Sequence, residues 1–425
     1  MVLQLRTLDV AAAREACADP AGPRVLAFST LFPNPAQPRL GVFVRDRVAA
    51  VAAHCPTRVV APVLSRLGLQ RLEHGRAGSI PVFEHQAGLD VYHPPFNTIP
   101  RVGRCVDGAL LFLQTIGLVR RLWADWQFDV IDAHYAFPDG AAAVHLGRLL
   151  RVPVCITVRG GDMDLLPRFR LRRRAIRHAL RNAQRVFAVS EHLAQRAATL
   201  GAPPDRIQVV GNGIDPRKFY PSDRCVARKV VGFSEETRLV LCVAHLIAEK
   251  GQHVLIEAFA RLGECGGHQP HLVVIGSDQR GNQDYRKRLE RQIAALGLGE
   301  RVHLFPAKPQ EELRAWYTAA DVVVLPTFRE GCPNVVREAL ACGAPVVASR
   351  VGGVPELLTS ESFGLLVTPG DSAGLAHAIA AALQRRWDRD AIAAGREART
   401  WQAVARTLAH ELRSVVREAE LRGLS

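Results

Sequence analysis

Short, continuously apolar runs recur along the chain, each followed by a stretch whose apolar positions repeat every three or four residues. RVLAFST (24–30), RVVAPV (58–63), FDVIDAH (128–134), PVCITVRG (153–160), RVFAVS (185–190) and IQVVGNG (207–213) form a first series. LVLCVAHL (239–246), HLVVIGS (271–277), VHLFPA (302–307), DVVVLPT (321–327) and APVVAS (344–349) form a second. Runs this short, β-branched and without polar alternation, read as strands buried on both faces, and the amphipathic segments between them read as the covering helices. The pattern predicts an α/β protein with two doubly wound, Rossmann-like parallel-sheet domains.

Breaks in the periodicity set the boundaries. Glycine, asparagine and proline cluster in GNGIDPRKFYPSD (211–223), where neither period holds. The expected organisation is a tail or short helix over 1–22, a first domain over 23–215, a second over 216–400 and a C-terminal helix over 401–425. Open α/β sheets bind ligands beyond the carboxyl ends of their strands, so two such domains facing a central cleft should carry their chemistry on strand-end loops. The apolar segment Gly108–Val119 is about half the roughly 20 residues a membrane span needs and contains Gln114; it reads as a buried helix.

Composition narrows the partners. The 425 residues carry a formal net charge of +14, which points to an anionic partner without choosing among nucleic acid, phosphorylated ligand and acidic membrane. Nine cysteines are scattered without a C-x-x-C pair, which argues against zinc or a disulfide framework and for a reducing cytosol. No basic region followed by an apolar core and a small-residue cleavage site opens the chain.

The stretch REGCPNVVREALACGAPVVAS (329–349) carries the densest chemistry. It follows the predicted strand DVVVLPT, and proline suits a first helical position, so a helix is expected to start at Pro333. Free N–H groups of Asn334, Val335 and their neighbours would then offer an anion site, approached closely past Gly331 and Cys332. Glu330 and Glu338 would flank that site. Carboxylates repel phosphate and suit hydroxyls, so one reads as a hexose binder and the other as a ribose binder. The same spacing also fits two solvated glutamates on an ordinary connection.

Glu330 and Glu338 resemble the E-x7-E motif of retaining glycosyltransferase family 4, which has the two-domain GT-B fold. The likeness extends to VAHLIAEKGQHVLIEAFA, to AWYTAADVVVLPTFREGCPNVVREALACGAPVVASRVGGVPELL and to VVGNGIDPRKF. LFPNPAQPRLGVFV, DAHYAFPDGAAA and VRGGD resemble the subgroup that builds cell-surface polysaccharides. This resemblance implies that Lys250 binds the donor diphosphate, Glu338 the ribose and Glu330 the transferred sugar, with backbone from Gly331 to Val335 around sugar and phosphate. It places Gly41 where backbone approaches donor or acceptor, His134 at the reacting centre, and Arg159 and Asp162 on the acceptor side. His245 stands where the family usually has arginine; an imidazole is shorter, lacks the bidentate fork and is only partly charged near neutral pH. Ala307 stands where many relatives have glycine, so the base is not inferred.

The implied reaction is hexosyl transfer with retention, from a nucleotide-diphosphate sugar to a lipid-linked saccharide. Catalytic roles fall to His134, Lys250 and Glu330, with no cofactor beyond the donor substrate and no metal required. Two rivals stay open: a GT-B nucleotide-sugar epimerase, and a catalytically silent nucleotide-sugar or lipid-binding subunit with His245 as its mark. A twin-Rossmann dehydrogenase is disfavoured, since no G-x-G-x-x-G follows either domain's first strand. The resemblance also lays the C-terminal helix across the domain junction.

Some signals have simpler readings. Asp162 and Asp164 have the spacing of a metal pair, but the pattern is short and common. His54, His74, His85 and His93 share no metal-ligand spacing. In PRFRLRRRAIRHALRNAQR (167–185), Arg170, Arg174, Arg177, Arg181 and Arg185 would share one helical face opposite Leu171, Ala175, Ala179 and Ala183. That face suits an anionic membrane, giving a peripheral place on the cytoplasmic side, or it is simply solvated. Nucleic acid is disfavoured because, past Phe169 at its start, no aromatics interleave the arginines.

Overall fold

The computed structural model describes residues 22–64, 80–99, 101–263, 269–278, 284–394 and 400–423, without the side chains of 101–103. The tail expected over 1–22 lies, but for Gly22, outside the described residues, as does His74. The chain divides into two units, Met1–Gly213 with Trp401–Ser425 and Ile214–Thr400.

The first unit holds strands β1 (Val25–Phe28), β2 (Thr57–Val60), β3 (Val63–Leu64), β4 (Phe83–Gln86), β5 (Leu89–Tyr92), β6 (Pro95–Phe96), β7 (Val130–His134), β8 (Val154–Val158), β9 (Arg185–Ala188) and β10 (Ile207–Val209). Eight of them form one sheet in the order β10-β9-β8-β7-β1-β2-β5-β4, while β3 pairs with β6. Only β4 runs antiparallel to its neighbour. Every apolar run of the first series contains or overlaps a strand. The β4–β5 hairpin was not expected, because its edge strand FEHQ is polar; Ala87 and Gly88, both at positive φ, turn it.

The second unit's sheet is β13 (Val302–Phe305), β12 (Pro270–Ile275), β11 (Arg238–Val243), β14 (Val322–Leu325), β15 (Val346–Ser349) and β16 (Gly364–Val367), in that spatial order. All its pairings are parallel. Strand β16 escaped the periodicity reading because GLLV is short and only its glycine is fully buried.

In each sheet the winding direction reverses once, between β1 and β7 and between β11 and β14. Loops leaving the carboxyl ends of those pairs diverge, and in open α/β sheets that is where ligands bind. Strand β7 is buried at all five positions although it carries Asp132 and His134.

The C-terminal helix Trp401–Leu421 belongs to the first unit. Its Ala405, Leu408, Leu412 and Val415 pack with Val25, Val130, Cys155 and Phe187 of the central strands. Leu113 is exposed on the helix Asp107–Trp126, so the segment read as a buried helix has one outward face; Gln114 there bonds Asn97. Among the described residues no helix is long and apolar enough to cross a membrane.

Candidate functional site

The second unit's switch point gathers residues from two loops. Lys250 ends a short turn after β11, and Glu330 lies on the loop after β14; their side chains form an ion pair, both mostly buried. One residue earlier in each loop, Glu249 pairs with Arg329, and the Glu249 carbonyl accepts from the Phe328 N–H at 2.9 Å. Two neighbouring ion pairs of opposite polarity therefore tie the loops together. Gly251 is required there: it has φ 72°, and a Cβ would sit 2.0 Å from the Pro326 carbonyl oxygen.

The helix after this loop spans Asn334–Ala341, one residue later than expected. Pro333, at φ −72° and ψ 110°, is the extended residue before it, so its ring sets the entry angle without entering the helix. Glu338, one turn in, accepts a 2.7 Å hydrogen bond from the Tyr317 hydroxyl. Burial first, then the Glu338 charge, pushes that phenol well above its usual range and keeps it a neutral donor. Gly331 is buried, Cys332 and Val335 partly so, and Arg337 Nε reaches Cys332 Sγ at 3.4 Å. His245 is exposed at the end of β11, its carbonyl accepting from Gln252 Nε2 at 2.8 Å.

The first unit's switch point is internal. His134 closes β7 with no exposed surface. Arg159 Nη2 donates to His134 Nδ1 at 3.2 Å, which leaves the ring proton on Nε2. Nε2 lies 3.5 Å from Asp132 Oδ2 without hydrogen-bond geometry and has no partner among the described residues. Burial, reinforced by Arg159 and Arg47, holds the imidazole well below its usual pKa and therefore neutral. Arg47, fully buried on the helix Val42–Ala52, donates to Thr157 Oγ1 at 3.2 Å, and Arg159 to Asn212 Oδ1 at 3.2 Å. Burial lowers Arg47 to about 10 and Arg159 to about 9, and raises Asp132 to about 6 against the pull of both guanidiniums.

Asp162 accepts from the backbone N–H groups of Ala136 (3.0 Å), Arg159 (3.1 Å) and Gly160 (2.9 Å). It is fully buried and braces the two loops after β7 and β8, including Tyr135 at φ 86°. Asp164 turns the other way, to Arg196 at 3.2 Å. Gly41 has φ 63°, and a Cβ would meet the Leu31 carbonyl oxygen at 2.2 Å, so its freedom serves the tight approach of its own loop. Asp139, across from β1, accepts from the Thr30 hydroxyl at 3.0 Å.

The periodicity reading missed Arg47, Asp132, Asn212, Asp139 and Tyr317. For Asp132 a signal existed: Asp132-x-His134 and Thr157-x-Arg159 place polar groups at period two inside strands otherwise apolar, and His134 sits opposite Thr157 in register.

The basic helix differs from its expected form. It spans Arg170–Asn182 and buries Ile176, Ala179 and Leu180. Arg170, Arg174, Arg177 and Arg181 are exposed. Leu171 is exposed with them rather than opposite them, because the buried face is centred on the Ile176–Leu180 row. Arg185 lies beyond the helix on β9, where Glu411 and Glu418 hold it at 3.3 and 2.9 Å.

Residues 223–400 match the model for glycosyl transferases group 1, and residues 77–218 match the model for glycosyltransferase family 4. The chain is 31% identical to a D-inositol 3-phosphate glycosyltransferase of Pseudarthrobacter chlorophenolicus over 76% of this chain and 80% of that protein. It is 27% identical to Bacillus subtilis TuaC, a glycosyltransferase named for teichuronic acid biosynthesis, over 84% and 88%. Among solved structures, Anabaena HepE in complex with UDP superposes with TM-score 0.67 at 22% identity, covering 92% of this chain and all of that one. Sucrose-phosphate synthase from Thermosynechococcus elongatus superposes with TM-score 0.69 at 22% identity, covering 93% and 97%.

Proposed function

The chain belongs to glycosyltransferase family 4, and from that premise we propose that it moves a hexosyl unit, with retention, from a nucleotide-diphosphate sugar to a lipid-linked saccharide in cell-surface polysaccharide assembly. The observation that carries this reading is the meeting of Lys250 and Glu330 at the second unit's switch point, beside the helix that carries Glu338 one turn in.

In this reading the donor diphosphate takes Lys250 from Glu330 and lies against the N–H groups at Asn334 and Val335. Those donors and the ammonium stabilise the charge growing on the leaving phosphate. Glu330, released, accepts from the sugar hydroxyls, and Glu338, held by Tyr317, accepts from the ribose. The glycosidic bond to the diphosphate breaks as the acceptor oxygen arrives on the same face, and the departing phosphate takes the acceptor proton. Neutral His134, with its proton on Nε2, becomes a hydrogen-bond donor for the sugar once the loops that enclose it open to the ligand. Asp162 acts on the acceptor side by positioning the loops that carry Arg159.

UDP is the first nucleotide to try, because the Anabaena protein of this fold binds it. The likeness to TuaC supports a polysaccharide product. A second reading, transfer to a small phosphorylated polyol, is favoured by the 31% identity to the inositol 3-phosphate enzyme. Partition of labelled product between butanol and water separates the two.

Thermal unfolding with UDP, GDP, ADP and their hexose derivatives, beside Glu338→Ala, tests the donor site. A ligand at 100 times its Kd stabilises by about 2.7 kcal/mol. One nucleotide should stand out for the native chain and lose its effect in the variant. No response from any nucleotide would overturn the reading in favour of a silent subunit.

A further inference from the structure

The helix Arg170–Asn182 and the turn before it expose charge and apolar surface together. Leu165, Phe169 and Leu171 are 38, 54 and 55% exposed, all within seven residues at the N-terminal end of the helix. Large apolar side chains left in water in such a cluster mark a contact surface. Beside them Arg170, Arg173, Arg174 and Arg177 are exposed, and none has a carboxylate within 4 Å among the described residues. The Arg172 guanidinium lies 4.6 Å over the Phe169 ring, so the ring and a cation share one patch. The acids nearby are turned away: Asp164 is occupied by Arg196, and Asp107 is buried.

A merely solvated face needs no leucine or phenylalanine, and a nucleic-acid face would place several aromatics along the arginine row for stacking, where Phe169 alone stands, at its N-terminal end and capped by Arg172. Apolar side chains at one end and guanidiniums along the outward row are what an interfacial helix presents to a bilayer, the former entering the acyl boundary and the latter meeting headgroup phosphates. We infer that this surface docks the first unit on an anionic lipid bilayer, with Phe169 and Leu171 inserted and Arg170, Arg174 and Arg177 on the headgroups. The inference is independent of the donor reading, since it uses none of the residues placed there.

Flotation of the full chain with phosphatidylcholine vesicles, with and without phosphatidylglycerol, tests it. Binding is expected only with the anionic lipid. Arg174→Gln with Arg177→Gln should weaken it roughly 25-fold, about fivefold for each charge lost at the surface. Phe169→Ser with Leu171→Ser should weaken it severalfold and make what remains fully dispersible by salt. All four positions are exposed, so unchanged thermal unfolding of both variants certifies that they fold. Equal flotation on neutral vesicles, indifference to the arginine pair, or capture by duplex DNA without capture by vesicles would each overturn the proposal.

Discussion

The two switch points solve one problem in opposite ways. In the second unit Lys250, Glu330 and Glu338 are partly accessible, and each has a partner: the lysine and first glutamate hold each other, and Tyr317 holds the second. In the first unit His134, Asp132, Arg47 and Arg159 are buried, yet His134 Nε2, Asp132 Oδ1 and both arginine Nε atoms lack partners among the described residues. Near water, charges can be paired by exchangeable contacts that an incoming ligand replaces. Away from water, unpaired polar atoms are costly, and the cost appears as displaced pKa values. The first cluster carries the cost of buried polar atoms left unpaired; the second keeps its charges paired near water.

Breaking the brace of the buried site should have the largest effect. Asp162→Ala would leave three backbone N–H groups without an acceptor, costing roughly 3 kcal/mol or more. Urea unfolding measures it; a loss below about 1 kcal/mol would mean water replaces the carboxylate and the site is less closed than its burial indicates.

The pH dependence of stability sharpens the contrast. Burial pushes the Asp139 carboxyl up to about 7, against hydrogen bonds from Thr30 that pull it down. Between its ordinary value of 3.8 and about 7 the folded chain holds a proton that the unfolded chain has released. Stability therefore falls as pH rises through that window. Asp139→Asn can still accept from Thr30 but cannot ionise, so the fall should ease by about 1.4 kcal/mol per pH unit. Unfolding curves from pH 4 to 7 check this, and an unchanged slope would show the carboxyl is not proton-bearing.

The smallest effect tests the exchangeable pair. Glu330→Gln frees Lys250 from its internal anion, so UDP alone should bind about fivefold more tightly, the worth of roughly 1 kcal/mol for a partly exposed pair. Transfer from the full donor should fall, because the sugar loses its carboxylate. Calorimetry with UDP beside a turnover assay separates the two changes, and weaker UDP binding would mean the carboxylate supports Lys250 rather than competing for it.

Much of this was legible beforehand because period-two and period-3.6 patterns are local. The eleven apolar runs each hold or border a strand, and the E-x7-E spacing places one glutamate on a loop and the other a turn into a helix whatever lies around it. What was misread involves contacts beyond that range. Arg185 looked like the next member of a basic helical row, but the chain turns after Asn182, and Glu411 and Glu418 from the C-terminal helix claim it. Spacing from the arginines alone turns Leu171 inward, whereas the packed neighbours choose the Ile176–Leu180 row.

By itself, then, the sequence determined the fold class, the strand-end position of the chemistry and the family, since these follow from local periodicity and from motifs read in order. Only the tertiary structure decided that Lys250 meets Glu330 across 80 residues and that His134 is neutral and enclosed. Strand order sets which loops diverge side by side, and the depth of cover sets how much water each charge loses; neither quantity is a property of any short stretch of chain.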